Sequence, residues 1–224
     1  MATVLIIGAS RGIGLEFARQ YAADGARVVA TVRRAEDTAR LRELGAKPLL
    51  LDVVDEATVA EFGVQLHGEK IDVAIYNAGV YGPRTSAIAT PGGLDFDSVM
   101  HTNVRAPMQL IPQLVPGLAA AGGKLALISS RMGSISLMSS TSGWLYRASK
   151  AAANAALRAM SLELGPHGIV CIAFLPGWVR PEMGGAGADI DAATSVAGMR
   201  RVLASANASQ NGKFLNFNGE QLSW

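Results

Sequence analysis

A glycine-rich turn near the N-terminus constrains the fold more than any other feature of this chain. Residues 3–7 are almost all apolar, which predicts a short buried strand. Gly8 to Gly14 contains three glycines, and residues 15–23 contain neither Gly nor Pro, which is typical of a helix. In a strand–turn–helix unit of this kind, the glycines let the backbone approach a diphosphate closely, and the N-terminus of the helix attracts its negative charge. A tight turn without a ligand is the alternative.

Strand-like and helix-like runs alternate along the rest of the chain, which predicts an α/β protein with a doubly wound parallel sheet of about seven strands. We expect one domain over residues 1–224 with helices on both faces of the sheet. The predicted strands are 3–7, 27–32, 48–51, 71–76, 125–128, 170–174 and 213–218. The predicted helices are 15–23, 40–44, 58–67, 94–118, 148–164 and 192–206. Ligands of such sheets bind beyond the carboxyl ends of the strands.

Tyr146 and Lys150 stand four residues apart at the head of an Ala-rich run, so a helix would place them on one face. A phenol has a pKa of about 10, and a nearby ammonium lowers it. Such a pair exchanges a proton near neutral pH, which suits the interconversion of a carbonyl and an alcohol. The alternative is a surface Tyr and Lys that share a helix by chance.

Several motifs together resemble the short-chain dehydrogenases/reductases, which have a Rossmann-type fold. They are the spacing of Gly8, Gly12 and Gly14, the triplet that begins at Asn77, and the pentapeptide from Tyr146 to Lys150. The segments Ser129 to Ser134 and Gly143-Trp144, and the loop between them, are similar to the corresponding segments of the C-factor-like and sniffer-like carbonyl reductases. The resemblance covers essentially the whole chain. It implies an NADP(H)-dependent oxidoreductase that reduces an aldehyde or ketone to an alcohol by hydride transfer.

The resemblance also implies four catalytic residues. Tyr146 would protonate the developing alkoxide as the general acid, and Lys150 would lower its pKa and bind the nicotinamide ribose. Ser130 would hold the carbonyl oxygen. Asn103 matches the family residue that holds a helix kink open and positions a water on the proton path.

The spacing between the Ser and the Tyr departs from the family pattern. Fifteen residues separate Ser130 from Tyr146, three more than usual, and the usual spacing would fall on Gly133, which has no hydroxyl. We interpret the difference as an insertion in the polar loop before the helix. Ser129 and Ser134 remain candidates for the same role.

The resemblance assigns the cofactor to residues at the ends of several strands. These are Gly8, Ser10, Arg11, Gly12, Ile13, Gly14, Arg33, Asp52, Val53, Asn77, Ala78, Gly79, Tyr146, Lys150, Pro176, Gly177 and Val179. Asp52 would contact the adenine amino group, or else cap the next helix, although Asp55 is better placed as a cap. Asn77 would tie neighbouring strand ends together, and Gly79 would let the chain pass under the adenosine.

Two arginines favour NADP over NAD. An acidic residue at the end of the second strand would bind the ribose hydroxyls, but this strand is followed by Arg33 and Arg34, with no acid before Glu36. The forked guanidinium of Arg33 suits a phosphate, and Arg11 would close on the same group. The alternative for both arginines is a pair of solvated loop charges, an interpretation that fits Arg34 best.

A second departure lies near the C-terminal end of the site. Pro181 stands where the branch usually has a Thr that binds the nicotinamide carboxamide, so backbone groups around Val179 would hold that end. Residues 183–187 contain three glycines and resemble a mobile flap. The candidate lining of an apolar substrate pocket, for which ordinary packing is the alternative, is Tyr81, Met132, Leu137, Met138, Trp144, Trp178 and Met183.

The composition and net charge of the chain limit the kinds of binding partner that we expect. The net charge of +2 is too small to indicate nucleic acid or a membrane surface, and no stretch is apolar enough to span a bilayer. A single cysteine, Cys171, predicts a buried strand thiol and a cytoplasmic location. We expect no metal ion. The Ala-rich faces of the helices at 94–118 and 146–164 predict a homodimer or homotetramer.

Two other classes of function stay open from the sequence. The first is a non-enzymatic NADP(H)-binding regulatory or signalling protein, which Pro181 and the altered Ser spacing favour. The second is a structural module that has lost its cofactor, against which the intact glycine-rich turn argues.

Overall fold

A computed structural model describes residues 1–179 and 190–224 of the chain. Within them, seven strands form one parallel sheet in the order β3-β2-β1-β4-β5-β6-β7, which confirms the predicted doubly wound class. The strands are β1 (Thr3–Ile7), β2 (Arg27–Val32), β3 (Lys47–Leu50), β4 (Val73–Tyr76), β5 (Lys124–Ile128), β6 (Val170–Leu175) and β7 (Lys213–Asn216). The strand order reverses between β1 and β4, and ligand sites of this architecture lie at that switch point.

The helices cover both faces of the sheet. They are α1 (Gly12–Ala23), α2 (Thr38–Glu43), α3 (Glu56–Gln65), α4 (Gly93–Met100), α5 (Ala106–Ala121), α6 (Trp144–Leu164) and α7 (Ala192–Ser205). The helix predicted at 94–118 spans residues 93–121, and a π-helical turn over His101–Arg105 divides it into α4 and α5 at the place where the resemblance implies a kink. Helix α6 begins four residues earlier than predicted, so that Tyr146 lies in its first turn.

Successive strand residues point to opposite faces of the sheet, and each face has its own apolar core. Leu5 and Ile7 of β1 pack on the side of α3, α5 and α6, whereas Val4 and Ile6 pack on the side of α1, α2 and α7. Cys171 is fully buried in β6, as predicted, and burial raises the pKa of its thiol to about 12.

Helix α3 shows which of two acidic residues acts as a cap. The Asp55 carboxylate accepts a hydrogen bond from the Thr58 N–H at 2.8 Å, as expected from the sequence. Asp52 is therefore not the cap of this helix. Among residues 1–179 and 190–224, no helix is both long and apolar enough to cross a membrane.

Candidate active site

The predicted site residues converge at the carboxyl edge of the central strands. The glycine-rich turn follows β1, Asn77 follows β4, and Ser130 comes two residues after β5. These three strands are neighbours in the sheet, so their ends lie side by side. A ligand at this edge therefore meets residues from distant parts of the chain.

The turn after β1 is held in place by backbone contacts that leave no room for side chains. Gly8 has a φ of 89°, and a Cβ there would lie 2.8 Å from the backbone nitrogen of Ala78. A Cβ on Gly14 would lie 2.0 Å from the Gly8 carbonyl oxygen. The same oxygen accepts a hydrogen bond from Asn77 Nδ2 at 2.6 Å, so Asn77 ties the ends of β1 and β4 together. Only glycine fits these two positions of the turn.

Thr31 in β2 also positions this turn. Its Oγ1 accepts a hydrogen bond from the Gly8 N–H at 3.0 Å, and its carbonyl oxygen accepts one from the Ala9 N–H at 2.8 Å. We did not predict this role from the sequence. The signal was a polar residue inside an otherwise apolar strand.

The start of α1 has the properties of a diphosphate site. Its N-cap residue, Arg11, provides no side-chain cap, and the first turn of the helix contains no acidic residue. Ser10, Gly12 and Ile13 are half-buried around it. The first N–H groups of a helix attract an anion when no side chain satisfies them. The cofactor predicted from the sequence therefore fits the residues present.

The two arginines after β2 differ in their surroundings. Arg34 forms ion pairs with Glu36 at 3.0 Å and with Asp37 at 3.2 Å, which agrees with its interpretation as a loop charge. Arg33 is exposed and makes no ion pair in the described part of the chain. Arg33 is therefore the cation of the two that is available for a phosphate.

The remaining residues assigned to the cofactor lie around the same edge. Asp52 is half-buried, and its Oδ1 accepts a hydrogen bond from a backbone N–H at 3.2 Å. Val53 packs against the core beside it. Pro176 is buried after β6, Gly177 has a φ of 84°, and Val179 pairs with Ile190 across an isolated bridge.

Tyr146 lies buried in the first turn of α6. Burial raises the pKa of its phenol to about 12, a hydrogen bond with Ser130 opposes that rise, and the nearby Tyr81 adds to it. The Tyr81 ring stacks on the Tyr146 ring with 4.6 Å between their centroids. The phenol is thus held between a hydroxyl partner and an aromatic neighbour.

Lys150 is buried one helical turn further along, as the four-residue spacing predicts. Its Nζ donates a hydrogen bond to the Ile128 carbonyl at 3.0 Å and lies 5.7 Å from the centroid of the Tyr146 ring. Burial lowers the pKa of Lys150 to about 8. The expected lowering of the Tyr146 pKa by this ammonium is not found, because burial dominates the pKa values of both groups.

Asn103 lies buried in the π-helical turn between α4 and α5. Its Oδ1 accepts from the Val80 N–H, and its Nδ2 donates to the Val80 carbonyl, both at 2.8 Å, and to Ser149 Oγ at 2.9 Å. A Cβ on Gly79 would lie 3.2 Å from Asn103 Oδ1 and 3.4 Å from Lys150 Nζ. Gly79 therefore lies beside Asn103 and Lys150, and its place under the adenosine stays a prediction.

The three candidate serines face different partners. Ser130 is hydrogen-bonded to the Tyr146 phenol. Ser129 donates to Asn154 Oδ1 at 2.5 Å, and Ser134 donates to the Ser223 carbonyl at 2.8 Å. Of the three hydroxyls, the one on Ser130 is in contact with the phenol.

The candidate substrate-pocket residues differ in their contacts and in their exposure to solvent. Tyr81 lies against the phenol and its hydroxyl is 3.9 Å from the Met132 sulfur, while Trp144 donates from Nε1 to the Ala89 carbonyl at 3.2 Å. Met138 and Trp178 are largely exposed, at 46% and 54%. Leu137 is half-buried.

Three of the predictions fall outside the described residues. They concern Pro181, Met183 and the flap at 183–187.

The chain belongs to the short-chain dehydrogenase family, because the model of that family matches residues 2–189. It is therefore an oxidoreductase of this family, as predicted. The C-signal protein of Myxococcus xanthus is 37% identical over 158 residues, which cover 69% of this chain and 93% of that protein. A carbonyl reductase from Pseudomonas aeruginosa PAO1 in complex with NADP superposes with a TM-score of 0.89 at 33% identity, and each chain is covered in full. The carbonyl reductase Sniffer of D. melanogaster superposes with a TM-score of 0.90 at 27% identity, also over the whole of both chains.

Proposed function

We propose that this protein reduces an aldehyde or ketone to an alcohol with NADPH. The observation that carries the proposal is the buried Tyr146 phenol, which is hydrogen-bonded to Ser130 and shares a helix face with Lys150. These groups lie together at the carboxyl end of β5. When bound, NADPH supplies the hydride that adds to the carbonyl carbon.

The protein contributes orientation and a proton. Ser130 holds the carbonyl oxygen, and Tyr146 gives it a proton as the alkoxide develops. A pKa of about 8 allows Lys150 to pass a proton near neutral pH. Asn103, whose amide is fixed on both sides by Val80, supports the proton path at Lys150.

The cofactor preference rests on Arg33. This exposed guanidinium follows β2, where an acid would select NAD, and it suits the 2′-phosphate of NADP. Arg11, the N-cap residue of α1, is the second cation that we propose for this phosphate. The NADP in the Pseudomonas carbonyl reductase structure supports the same choice.

We further propose that the protein self-associates through α5 and α6 as a homodimer or homotetramer. Met108 on α5 and Leu162 on α6 are exposed apolar residues, at 50% and 63%. Burial of such side chains favours association. Light scattering coupled to size-exclusion chromatography measures the mass, and a monomer at micromolar concentration would contradict this proposal. The cytoplasmic location stays a prediction.

A test of the proposed reaction follows NADPH consumption with a panel of aldehydes, ketones and quinones, with Tyr146→Phe beside the native protein. We expect the native protein to turn over at least one carbonyl and Tyr146→Phe to bind NADPH equally well without turnover. A second candidate, an NADP(H)-binding regulator, is favoured by the relative named C-signal. Tight NADPH binding without turnover of any carbonyl by the native protein would favour that candidate.

A further inference from the structure

One face of α6 is hydrogen-bonded to the segment that carries Ser130. Tyr146, Lys150 and Asn154 are spaced by four residues, so they lie in a row on the helix, and all three are buried. Tyr146 is hydrogen-bonded to Ser130, and Lys150 Nζ donates to the Ile128 carbonyl. The third residue of the row, Asn154, has no role in the reaction proposed above.

The side-chain amide of Asn154 bonds on both sides of Ser130. It is only 3% exposed, its Oδ1 accepts from Ser129 Oγ at 2.5 Å, and its Nδ2 donates to the Gly133 carbonyl at 3.2 Å. Both ends of the amide are therefore engaged with the same five-residue segment. This segment runs from the residue before Ser130 to the third residue after it.

Close packing leaves the segment little room to shift. A Cβ on Gly133 would lie 2.8 Å from Lys150 Cβ and 3.1 Å from Asn154 Nδ2. Within the segment, Ser130 Oγ accepts a hydrogen bond from the Met132 N–H at 3.1 Å. The position of the Ser130 hydroxyl is thus set jointly by its own tight turn and by the helix behind it.

We propose that Asn154 is a positioning residue, which holds Ser130 where its hydroxyl meets both the Tyr146 phenol and the carbonyl oxygen of the substrate. This inference rests on the proposed reductase function. A misplacement of a reacting group by about 1 Å costs up to about 100-fold in rate. Buried hydrogen bonds that fix a functional side chain from behind supply this precision.

The test replaces Asn154 by Ala in the full-length protein. We expect kcat to fall about 10- to 100-fold, with little change in the Kd for NADPH, because the Asn154 amide bonds to Ser129 and Gly133 and not to the glycine-rich turn after β1. Loss of the Ser130 hydrogen bond removes the interaction that lowers the pKa of Tyr146. Alcohol oxidation needs the phenolate, so its rise with pH moves to higher pH in Asn154→Ala.

Asn211 provides a matched control for lost stability. Its Oδ1 accepts from the Cys171 N–H at 2.9 Å and its Nδ2 donates to the Ser161 carbonyl at 2.8 Å, so it also ties α6 to its surroundings. Asn211→Ala should lower Tm as Asn154→Ala does and leave kcat and the pH profile unchanged. Ser129→Ala combined with Asn154→Ala should be less damaging than the two single effects added together.

Hydrogen exchange of residues 129–133 tests the same proposal without turnover. We expect faster exchange in Asn154→Ala and native exchange in Asn211→Ala. If the native protein reduces no carbonyl but this difference appears, the reductase function fails while the positioning of the segment stands. Unchanged exchange, or a kcat loss in Asn154→Ala no larger than in Asn211→Ala, would overturn the role of Asn154.

Discussion

The cofactor cradle, which is the glycine-rich turn from Gly8 to Gly14, and the catalytic face of α6 are built in opposite ways. The cradle is formed by backbone and leaves no room for side chains, since a Cβ on Gly8 or Gly14 would collide with neighbouring atoms. The catalytic face consists of the buried side chains Tyr146, Lys150 and Asn154. The cradle therefore tolerates no added atoms, whereas the α6 face depends on polar groups that are costly to bury.

Because of this difference, we expect substitutions in the two regions to affect stability and function differently. The close packing of the cradle serves folding and cofactor binding at once, so damage there should affect both. On the α6 face, burial shifts the pKa of Tyr146 to about 12 and that of Lys150 to about 8. Such shifts oppose the charged forms, so removal of a charge there should stabilise the fold while it abolishes activity.

The largest expected effect is in the cradle. In Gly14→Ala the new Cβ would approach the Gly8 carbonyl oxygen to 2.0 Å, so the turn must deform. We expect the Kd for NADPH to rise more than about 100-fold, together with a loss of about 3 kcal/mol in the free energy of unfolding. Cofactor fluorescence and chemical denaturation measure the two quantities. Gly93→Ala is the control, because a Cβ there meets nothing within 4 Å.

The opposite result is expected on the α6 face with Lys150→Met. Burial depresses the pKa of Lys150 from 10.5 to about 8, so the folded state binds this proton less readily than the unfolded state. Allowing for the lost hydrogen bond to Ile128, Lys150→Met should gain about 1 to 2 kcal/mol of stability at pH 7. The free-energy cost of burying the charged Lys150 is fully present below pH 8 and fades as pH rises to 10.5. The stability gained in Lys150→Met should therefore shrink over that pH window. Denaturation at several pH values measures it, and a gain that grows with pH would contradict the account.

A smaller effect should distinguish the two arginines beside the cradle. Arg33→Ala should weaken NADPH binding about 10-fold or more and leave NADH binding unchanged, because one charged contact to a phosphate is lost. Arg34→Ala is the matched control, since Arg34 already pairs with Glu36 and Asp37. Titration of both cofactors into both variants measures the preference. Equal losses for NADPH and NADH in Arg33→Ala would assign that residue another role.

The smallest effect concerns the ring that covers Tyr146. Aromatic pairs such as Tyr81 and Tyr146 contribute about 0.5 to 1.5 kcal/mol beyond burial. Tyr81→Phe keeps the stack and should retain nearly native kcat/KM, whereas Tyr81→Ala should lose a few-fold. Steady-state kinetics with the best carbonyl substrate compare the two. A larger loss in Tyr81→Phe than in Tyr81→Ala would show that the hydroxyl, and not the stack, matters.

The cradle was the part that the sequence predicted best, because it is local. Three glycines, the strand before them and the helix after them are consecutive in the chain, so their spacing indicated the turn. The spacing of Tyr146 and Lys150 likewise predicted a shared helix face. The pKa of Tyr146 could not be predicted in this way, since it depends on burial by distant residues.

Contacts between distant segments account for what the sequence did not reveal. Asn154 follows Lys150 by the same four residues that separate Lys150 from Tyr146, yet its partners Ser129 and Gly133 lie 25 and 21 residues away. A kink at Asn103 was expected from the resemblance, but its π-helical form was not.

The central claim is that this protein transfers hydride to a carbonyl carbon with Tyr146 as the proton donor. The most direct measurement incubates it with NADPH deuterated at the transferred position and a carbonyl substrate from the panel, followed by mass spectrometry of the alcohol. The proposed mechanism predicts one deuterium on the carbinol carbon with the native protein and no alcohol with Tyr146→Phe. Alcohol without deuterium, or deuterated alcohol formed at the native rate by Tyr146→Phe, would contradict it.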